Sequence, residues 1–184
     1  MKSKNLKRLA AMAVLAAVSV ALASVVHFPV FPAVAFLEYD PADIPVLICG
    51  FAFGPSAGIF VVIVASLIQG LTVSASSGLY GILMHVIASS ALVLTSSLIY
   101  RKHKTRKGAV AGICFGVLAM AAVMIPANLL ITPYFMGCER SLVVDLLPYI
   151  ILFNLIKAGI NGIITFLIYK KISVLLHKLD DEKN

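Results

Sequence analysis

The most informative segment of this chain is residues 147–176, which read LPYIILFNLIKAGINGIITFLIYKKISVLL. A helix needs roughly 20 largely apolar residues to cross the hydrocarbon layer of a bilayer, and this segment exceeds that length. Asn154, Lys157, Asn161 and Thr165 interrupt it at intervals of three, four and four, which places them on one helix face. The segment therefore predicts a membrane-spanning helix whose polar stripe faces protein or water rather than lipid.

The rest of the chain also has the composition of a membrane protein. Hydrophobic residues make up 61% of the 184 residues and charged residues 12%, and the mean hydropathy is +1.03. A soluble domain is about half apolar and a quarter charged. The net charge of +7 does not indicate nucleic-acid binding, because the basic residues cluster at the ends of apolar runs. We expect a single transmembrane domain over residues 1–184.

Five more apolar runs bring the number of predicted spans to six. They cover residues 9–26, 44–53, 57–72, 79–100 and 108–135. The second run is short for a full span and is followed by the break Gly54-Pro55-Ser56. The predicted fold class is therefore an all-α integral membrane protein, built as a bundle of six transmembrane helices.

The basic residues predict the orientation of this bundle. With six spans, 13 of the 15 Lys and Arg residues fall on one side, which the positive-inside rule makes cytoplasmic. These residues are Lys2, Lys4, Lys7, Arg8, Arg101, Lys102, Lys104, Arg106, Lys107, Lys170, Lys171, Lys178 and Lys183. The opposite loops carry Arg140 and five carboxylates. Both termini are therefore predicted to be cytoplasmic (N-in, C-in).

The first run has an alternative interpretation as a cleavable signal peptide. Basic residues, a short apolar run and Ala21-Leu22-Ala23 before Ser24 are typical of such peptides. Cleavage would leave five spans. Retention is the preferred interpretation, because most multispanning proteins keep their first helix.

Helix depth brings four polar residues to one layer. Counting inward from Pro148 at about 1.5 Å per residue, Asn154 lies roughly 9 Å and Lys157 roughly 14 Å deep. Asn128 on the fifth run and His85 on the fourth fall at about 10 Å. A lysine at mid-span costs about 2.5–3.5 kcal/mol on insertion scales, so an intramembrane lysine is a functional candidate. The shared depth predicts the floor of an outward-facing pocket.

Ordinary structural roles compete with this interpretation. Lys157 is far from the helix end for its ammonium to reach the interface, so a functional role is preferred for it. Asparagines commonly form hydrogen bonds between helices in membranes, which applies to Asn128 and Asn154. For His85 and Asn161, taken individually, a packing role is preferred.

The first outer loop, residues 27–41, is aromatic, proline-containing and partly acidic. We expect its residues Leu37, Glu38, Tyr39 and Asp40 to cover the pocket. The alternative is a belt of aromatic residues at the membrane interface.

Small residues at intervals of four predict close helix packing. Glycines recur at positions 50, 54 and 58 and at 108, 112 and 116. The first span has an alanine face that includes Ala13 and Ala17, which suits either internal packing or docking of a partner.

Motifs for catalysis and metal binding are absent from the sequence. There is no G-x-x-x-x-G-K-[ST] phosphate loop, so ATP hydrolysis by that route is excluded. There is also no H-E-x-x-H or G-x-S-x-G motif, and Cys49, Cys114 and Cys138 lack metal-ligand or redox spacing. We expect a protein that is not an enzyme and holds no metal.

Several segments together resemble a known family. They are residues 36–45 (FLEYDPADIP), residues 51–58 (FAFGPSAG), Asn128, and residues 153–159 (FNLIKAG). They resemble the substrate-binding S-components of energy-coupling factor vitamin transporters, most closely the riboflavin-specific members, over nearly the whole chain. The resemblance implies a six-helix, multi-pass protein of the bacterial plasma membrane. It also implies a vitamin bound near the outer face as cargo, with no cofactor.

The resemblance further implies roles for individual residues. Asn128, Asn154 and Lys157 match positions that contact the flavin, and Ala13 and Ala17 match a face that contacts a membrane coupling subunit. That subunit assembles with two ATPases, which supply the energy for uptake. Glu38 and His85 depart from some relatives, which have a neutral polar residue and an asparagine at these positions.

The sequence thus suggests four candidate functions. The leading hypothesis is capture of riboflavin for uptake powered by separate subunits, and the nearest alternative is the same role for another vitamin or a flavin analogue. A membrane-embedded enzyme acting on a lipid would need catalytic groups that the spans lack. A structural assembly subunit without a ligand is the fourth.

Overall fold

A computed structural model describes the backbone of residues 2–181 and the side chains of residues 5–172. Lys183, one of the predicted cytoplasmic lysines, lies outside the described residues, as do the side chains of Lys2, Lys4 and Lys178. The described part contains six α-helices: α1 (Lys2–Val25), α2 (Asp43–Phe53), α3 (Pro55–Leu71), α4 (Gly78–Lys102), α5 (Arg106–Met136) and α6 (Arg140–Asp181). Between α1 and α2, strand β1 (Phe28–Pro29) pairs antiparallel with β2 (Glu38–Tyr39). Short 3₁₀ turns lie at Pro32–Val34 and Ala75–Ser77.

Four of these helices are long and apolar enough to cross a membrane, judged by length and composition: α1, α4, α5 and α6. The other two are apolar but shorter, with 11 residues in α2 and 17 in α3. Helix α2 is enclosed by α1, α3, α4 and α6, and nine of its residues are buried. Its apolar composition therefore reflects burial inside the protein more than contact with lipid.

Contacting residues show that α1 and α2 run antiparallel. Near the start of α1, Arg8 donates to the carbonyl of Phe53 at the end of α2 (2.9 Å). Further along, Ser19 donates to the carbonyl of Ala42, which precedes α2 (2.8 Å).

The remaining helices continue this alternation. Helices α3 and α4 are antiparallel, because Gly58 packs on Val93 while Gly70 packs on Ile82. Helix α5 is antiparallel to α4. Helix α6 is parallel to α2, because Asn161 contacts Asp43 at the start of α2 and Tyr169 contacts Phe51 near its end. The start of α1 and the later half of α6 therefore lie at the same end of the bundle.

The predicted close packing at glycines is confirmed at four positions. A Cβ added at Gly50 or Gly58 would lie 2.7 or 2.6 Å from Val93 Cγ2. One added at Gly112 would lie 2.6 Å from the Ser96 carbonyl oxygen, and Gly116 is equally close to α4. These glycines let the backbones of α2, α3 and α5 approach α4.

Helix α6 begins at Arg140, seven residues before the predicted start at 147, and Pro148 lies inside it. The predicted start of this helix was wrong because residues 140–147 include charged side chains, yet apolar residues among them pack into the fold. Val143 and Ile150 form a small core with Val34 of the 3₁₀ turn, and all three are fully buried. Pro148 is therefore not the helix origin that the depth count assumed.

Candidate functional site

An open cavity of about 880 Å³ lies between the loop that follows α1 and helices α3 to α6. This volume includes open solvent at the mouth of the cavity. Its apolar lining includes Phe36, Leu37, Ala88, Met120, Met124 and Phe153. Its polar lining includes His27, Glu38, Asp40, Ser66, Gln69, Ser74, Ser77, His85, Asn154 and Lys157.

Six of the eight residues predicted to contact a ligand line this cavity: Leu37, Glu38, Asp40, His85, Asn154 and Lys157. Three separate parts of the chain supply them, namely the β1–β2 loop region, α4 and α6. The spacing along α6 already placed Asn154 and Lys157 on one face, whereas only the fold brings the loop residues and His85 to the same cavity.

Lys157 forms an ion pair with Asp40 at the cavity wall. The distance from Lys157 Nζ to Asp40 Oδ2 is 2.6 Å, and the two side chains are 7% and 13% exposed. The other carboxylate oxygen of Asp40 accepts a hydrogen bond from the backbone N–H of Ala42 at 2.9 Å. Both residues were predicted for the site, but their pairing was not. The pairing explains how the bundle tolerates a lysine in α6.

The carboxylate of Asp40 remains ionised beside this lysine. Burial alone would raise the pKa of Asp40, but the attraction of the Lys157 ammonium and its hydrogen bond outweigh burial and hold that pKa below its usual value. The pair therefore brings no net charge to the cavity wall.

Asn161 anchors the loop to α6 instead of lining the cavity. Its amide N–H₂ donates to the backbone carbonyl of Asp40 (3.0 Å) and to Asp43 Oδ2 (3.4 Å). Its side-chain oxygen accepts from the Tyr39 hydroxyl (3.0 Å). Asp43 also accepts a 2.5 Å hydrogen bond from Ser89. The packing role preferred for Asn161 is confirmed by these contacts, and they hold Asp40 in reach of Lys157.

Tyr39 is buried behind the cavity wall, where it contacts Asn161. Burial raises the pKa of the Tyr39 hydroxyl, with a smaller contribution from the negative charge of Asp40. The hydroxyl is therefore a stable hydrogen-bond donor at neutral pH.

Asn128 is fully buried within α5 and does not line the cavity. Its amide N–H₂ donates to the Met124 carbonyl at 2.8 Å, and its side-chain oxygen accepts from the Thr132 hydroxyl at 2.9 Å. In this conformation both ends of the amide are bonded within its own helix.

Asn154 differs from Asn128 because it reaches the cavity. Its amide N–H₂ donates to the Ile150 carbonyl one turn earlier (2.8 Å), while the side chain lines the cavity wall near Lys157. The side-chain oxygen is left to accept a hydrogen bond from a ligand.

Helix α3 contributes two polar residues that the sequence analysis did not single out, Ser66 and Gln69. Ser66 Oγ lies 2.7 Å from Nδ1 of His85, which lines the cavity from α4. Isolated polar residues are common in apolar helices, so neither stood out. Their spacing of three residues, which places both on one face of α3, was the available signal.

The geometry suits binding more than catalysis. Among the described residues, no group of three His, Cys, Asp or Glu side chains is placed to hold a metal ion. Apolar side chains from α4, α5 and α6 form one part of the wall, and a few donors and acceptors form the rest. Such a site fits a small molecule with apolar area and a few polar groups.

The predicted partner-binding residues lie on the surface of the bundle. Ala13 and Ala17 are exposed on α1, next to Val14, whose side chain is 61% exposed. The opposite face of α1, which includes Leu15 and Ser19, is buried.

Comparisons with known proteins find relatives that match nearly the full length of the chain. It is 27% identical to the riboflavin transporter RibU of Staphylococcus aureus (strain TCH60) over 180 residues, covering 94% of each protein. It is 28% identical to RibU of Streptococcus thermophilus (strain ATCC BAA-250 / LMG 18311), covering 95% of this chain and 87% of the relative. It is 25% identical to the riboflavin transporter FmnP of Bacillus subtilis (strain 168), covering 91% and 93%.

A solved structure, described as the S component of a bacterial ECF transporter, superposes with a TM-score of 0.80. It is 27% identical, and the match covers 94% of this chain and 98% of that one. The family model for the substrate-specific component of ECF transporters matches residues 7–169, which contain the cavity and its ion pair. The chain therefore belongs to the family of ECF transporter substrate-specific components.

Proposed function

We propose that this chain captures riboflavin at the outer face of the membrane for uptake driven by a coupling subunit and two ATPases. The observation that carries this proposal is the similarity to three riboflavin transporters, which extends over 91–95% of this chain. The family consists of transporter components, so the chain is a binding subunit and not an enzyme. Riboflavin is then its cargo and not a cofactor.

The cavity offers a complementary surface for such a ligand. A flavin ring is flat, with two long apolar faces and a polar edge, and the side chains of Met120, Met124 and Phe153 provide apolar area for a face. Asn154 and Lys157 provide polar groups for the edge. Because riboflavin is neutral and Asp40 balances the charge of Lys157, this lysine would act as a hydrogen-bond donor. We assign Leu37 and Glu38 to the cover of the cavity and His85 to its wall.

Asn128 and Tyr39 remain part of the proposed site on one condition. A direct contact with the ligand requires Asn128 to turn away from the Met124 carbonyl, and Tyr39 to release Asn161. Glu38 and Asp40, which flank Tyr39 in the chain, and Met124, which accepts from Asn128, line the cavity.

We further propose a single domain over residues 1–184 with six spans and both termini in the cytoplasm of a bacterial cell. The alternating directions of α1 to α6 support this topology, as does the exposure of the basic residues at 101–107. Helix α2 would cross as a short helix enclosed by its neighbours. On α1, the exposed Ala13 and Ala17 would face the coupling subunit.

Titration of the purified protein with riboflavin tests the assignment. We expect quenching of flavin fluorescence that saturates near one ligand per protein, and a raised melting temperature with ligand. A folded protein that neither quenches riboflavin nor gains stability from it would refute the riboflavin assignment. The same assay with other vitamins and flavin analogues tests the nearest alternative.

A further inference from the structure

Two buried nitrogen atoms at the cavity lack a hydrogen-bond partner among the described residues: Gln69 Nε2 and His85 Nε2. Both residues line the cavity, and Gln69 is only 5% exposed. Buried polar atoms are rarely left without a partner, because desolvation is then not compensated. Two such atoms on neighbouring helices at one cavity need hydrogen-bond partners that a molecule in the cavity could supply.

The surroundings hold both groups in place. Ser66 Oγ contacts His85 Nδ1 at 2.7 Å, which leaves Nε2 as the ring nitrogen without a partner. Gln69 lies one helical turn beyond Ser66 on α3, just before the Ala75–Ser77 turn. Ser74 and Ser77 from this connection also line the cavity. Helix α3 and the segment after it thus form a polar wall rich in hydroxyl and amide groups.

The chemistry of these atoms favours a hydroxyl group as the partner. An imidazole nitrogen donates or accepts according to its tautomer, and an amide presents a donor or an acceptor according to its rotation. A hydroxyl both donates and accepts, so it satisfies either arrangement. A carbonyl oxygen satisfies only one of them.

We propose that Gln69, together with His85, binds hydroxyl groups of a polyol chain on the ligand. Gln69 is thereby a specificity-determining residue that favours a flavin bearing the chain over the bare ring. This inference rests on the proposed function, because it assumes that the cavity holds a flavin. The ring would then occupy the apolar side formed by Met120, Met124 and Phe153.

Binding of riboflavin and lumiflavin, which has the same ring with a methyl group in place of the chain, tests the proposal. Wild-type protein should bind riboflavin at least about 10-fold more tightly than lumiflavin, and Gln69→Leu should weaken riboflavin binding roughly 10-fold. The lumiflavin affinity of Gln69→Leu should stay within about 2-fold of wild type, since the lost contact involves the chain alone. Thr72→Val, a polar-to-apolar change at the end of α3 outside the cavity, is the matched control and should alter neither affinity.

Equal losses for both ligands, or no loss for riboflavin, would overturn the role of Gln69. Equal wild-type affinities for the two ligands would overturn the inference while leaving the riboflavin assignment intact. Binding of neither flavin by folded wild-type protein would refute the proposed function and this inference with it. If Gln69→Leu does not fold, Gln69→Met and the wild-type comparison of ligands decide the outcome.

Discussion

The ion pair between Lys157 and Asp40 connects two residues that are far apart in the chain and nearly buried in the fold. Removing one member of a buried pair costs about 3–5 kcal/mol, because the other charge remains unpaired. Truncation of Lys157 would therefore affect both the stability and the proposed ligand site. Separating the two effects requires removal of both charges together.

We expect Lys157→Ala to weaken riboflavin binding markedly, by roughly 100-fold or more, and also to lower the melting temperature. The double variant Lys157→Met with Asp40→Asn leaves neither member of the pair as an unpaired charge, and the buried Asp43 keeps its hydrogen bonds from Ser89 and Asn161. It should therefore regain most of the stability without regaining the affinity. Fluorescence titration and thermal unfolding measure the two properties separately. Unchanged affinity of Lys157→Ala would mean that the ligand does not reach this residue.

Glu38 lines the cavity and is exposed, so its charge faces any ligand that enters. Two like charges about 4 Å apart repel by roughly 1 kcal/mol in water. We expect Glu38→Gln to raise the affinity for a flavin bearing a phosphate several-fold, and to change riboflavin affinity little. The difference between Glu38→Gln and wild type in affinity for the phosphorylated flavin should shrink in high salt, because salt screens exposed charges. Glu139→Gln, at an exposed carboxylate away from the cavity, is the control and should have no such effect.

Among the helices, α4 is the element against which α2, α3 and α5 pack through glycine contacts. This packing sets the distance between the α4 and α5 walls of the cavity, which carry His85 and Met124. Side chains added at the contact would force the helices apart, whereas Gly159 on α6 has room for a methyl group.

Gly112→Ala and Gly159→Ala form a matched pair that tests this packing. The Cβ at position 112 would lie 2.6 Å from the Ser96 carbonyl oxygen, so we expect a loss of about 1–3 kcal/mol in stability. Position 159 has no heavy atom within 4 Å of an added Cβ, and alanine is the better helix former by about 1 kcal/mol. Thermal unfolding in detergent should therefore separate the two variants. Equal stabilities would contradict the close contact between α4 and α5.

For the whole molecule, the proposed binding cavity and the exposed face of α1 are separate surfaces. Ala13 and Ala17 do not line the cavity. The opposite, buried face of α1 packs against α2 and α3. Ligand capture and partner docking should therefore respond independently to substitution.

Accordingly, Ala13→Trp with Ala17→Trp should prevent copurification with the coupling subunit and its ATPases, while riboflavin still quenches with unchanged affinity. The physical reason is that a large side chain blocks close approach of a second helix to a small-residue face. Leu118→Trp, at an exposed position of α5, is the control and should leave the complex intact. Normal copurification of the double variant would place the docking surface elsewhere.

Composition, apolar runs and polar spacing, read from the sequence alone, predicted an all-helical membrane protein and placed His85, Asn154 and Lys157 at its cavity. The first outer loop and the family resemblance added Leu37, Glu38 and Asp40. These features are properties of neighbouring residues, so they can be read along the chain. Only the folded bundle shows that Lys157 pairs with Asp40 and that Asn128 bonds within its own helix. It also shows that Ser66 and Gln69 line the cavity. These contacts depend on which helices are neighbours and how each is rotated about its axis, and hydropathy does not encode either property. The polar stripe of α6 was therefore predictable, whereas the partners of its residues were not.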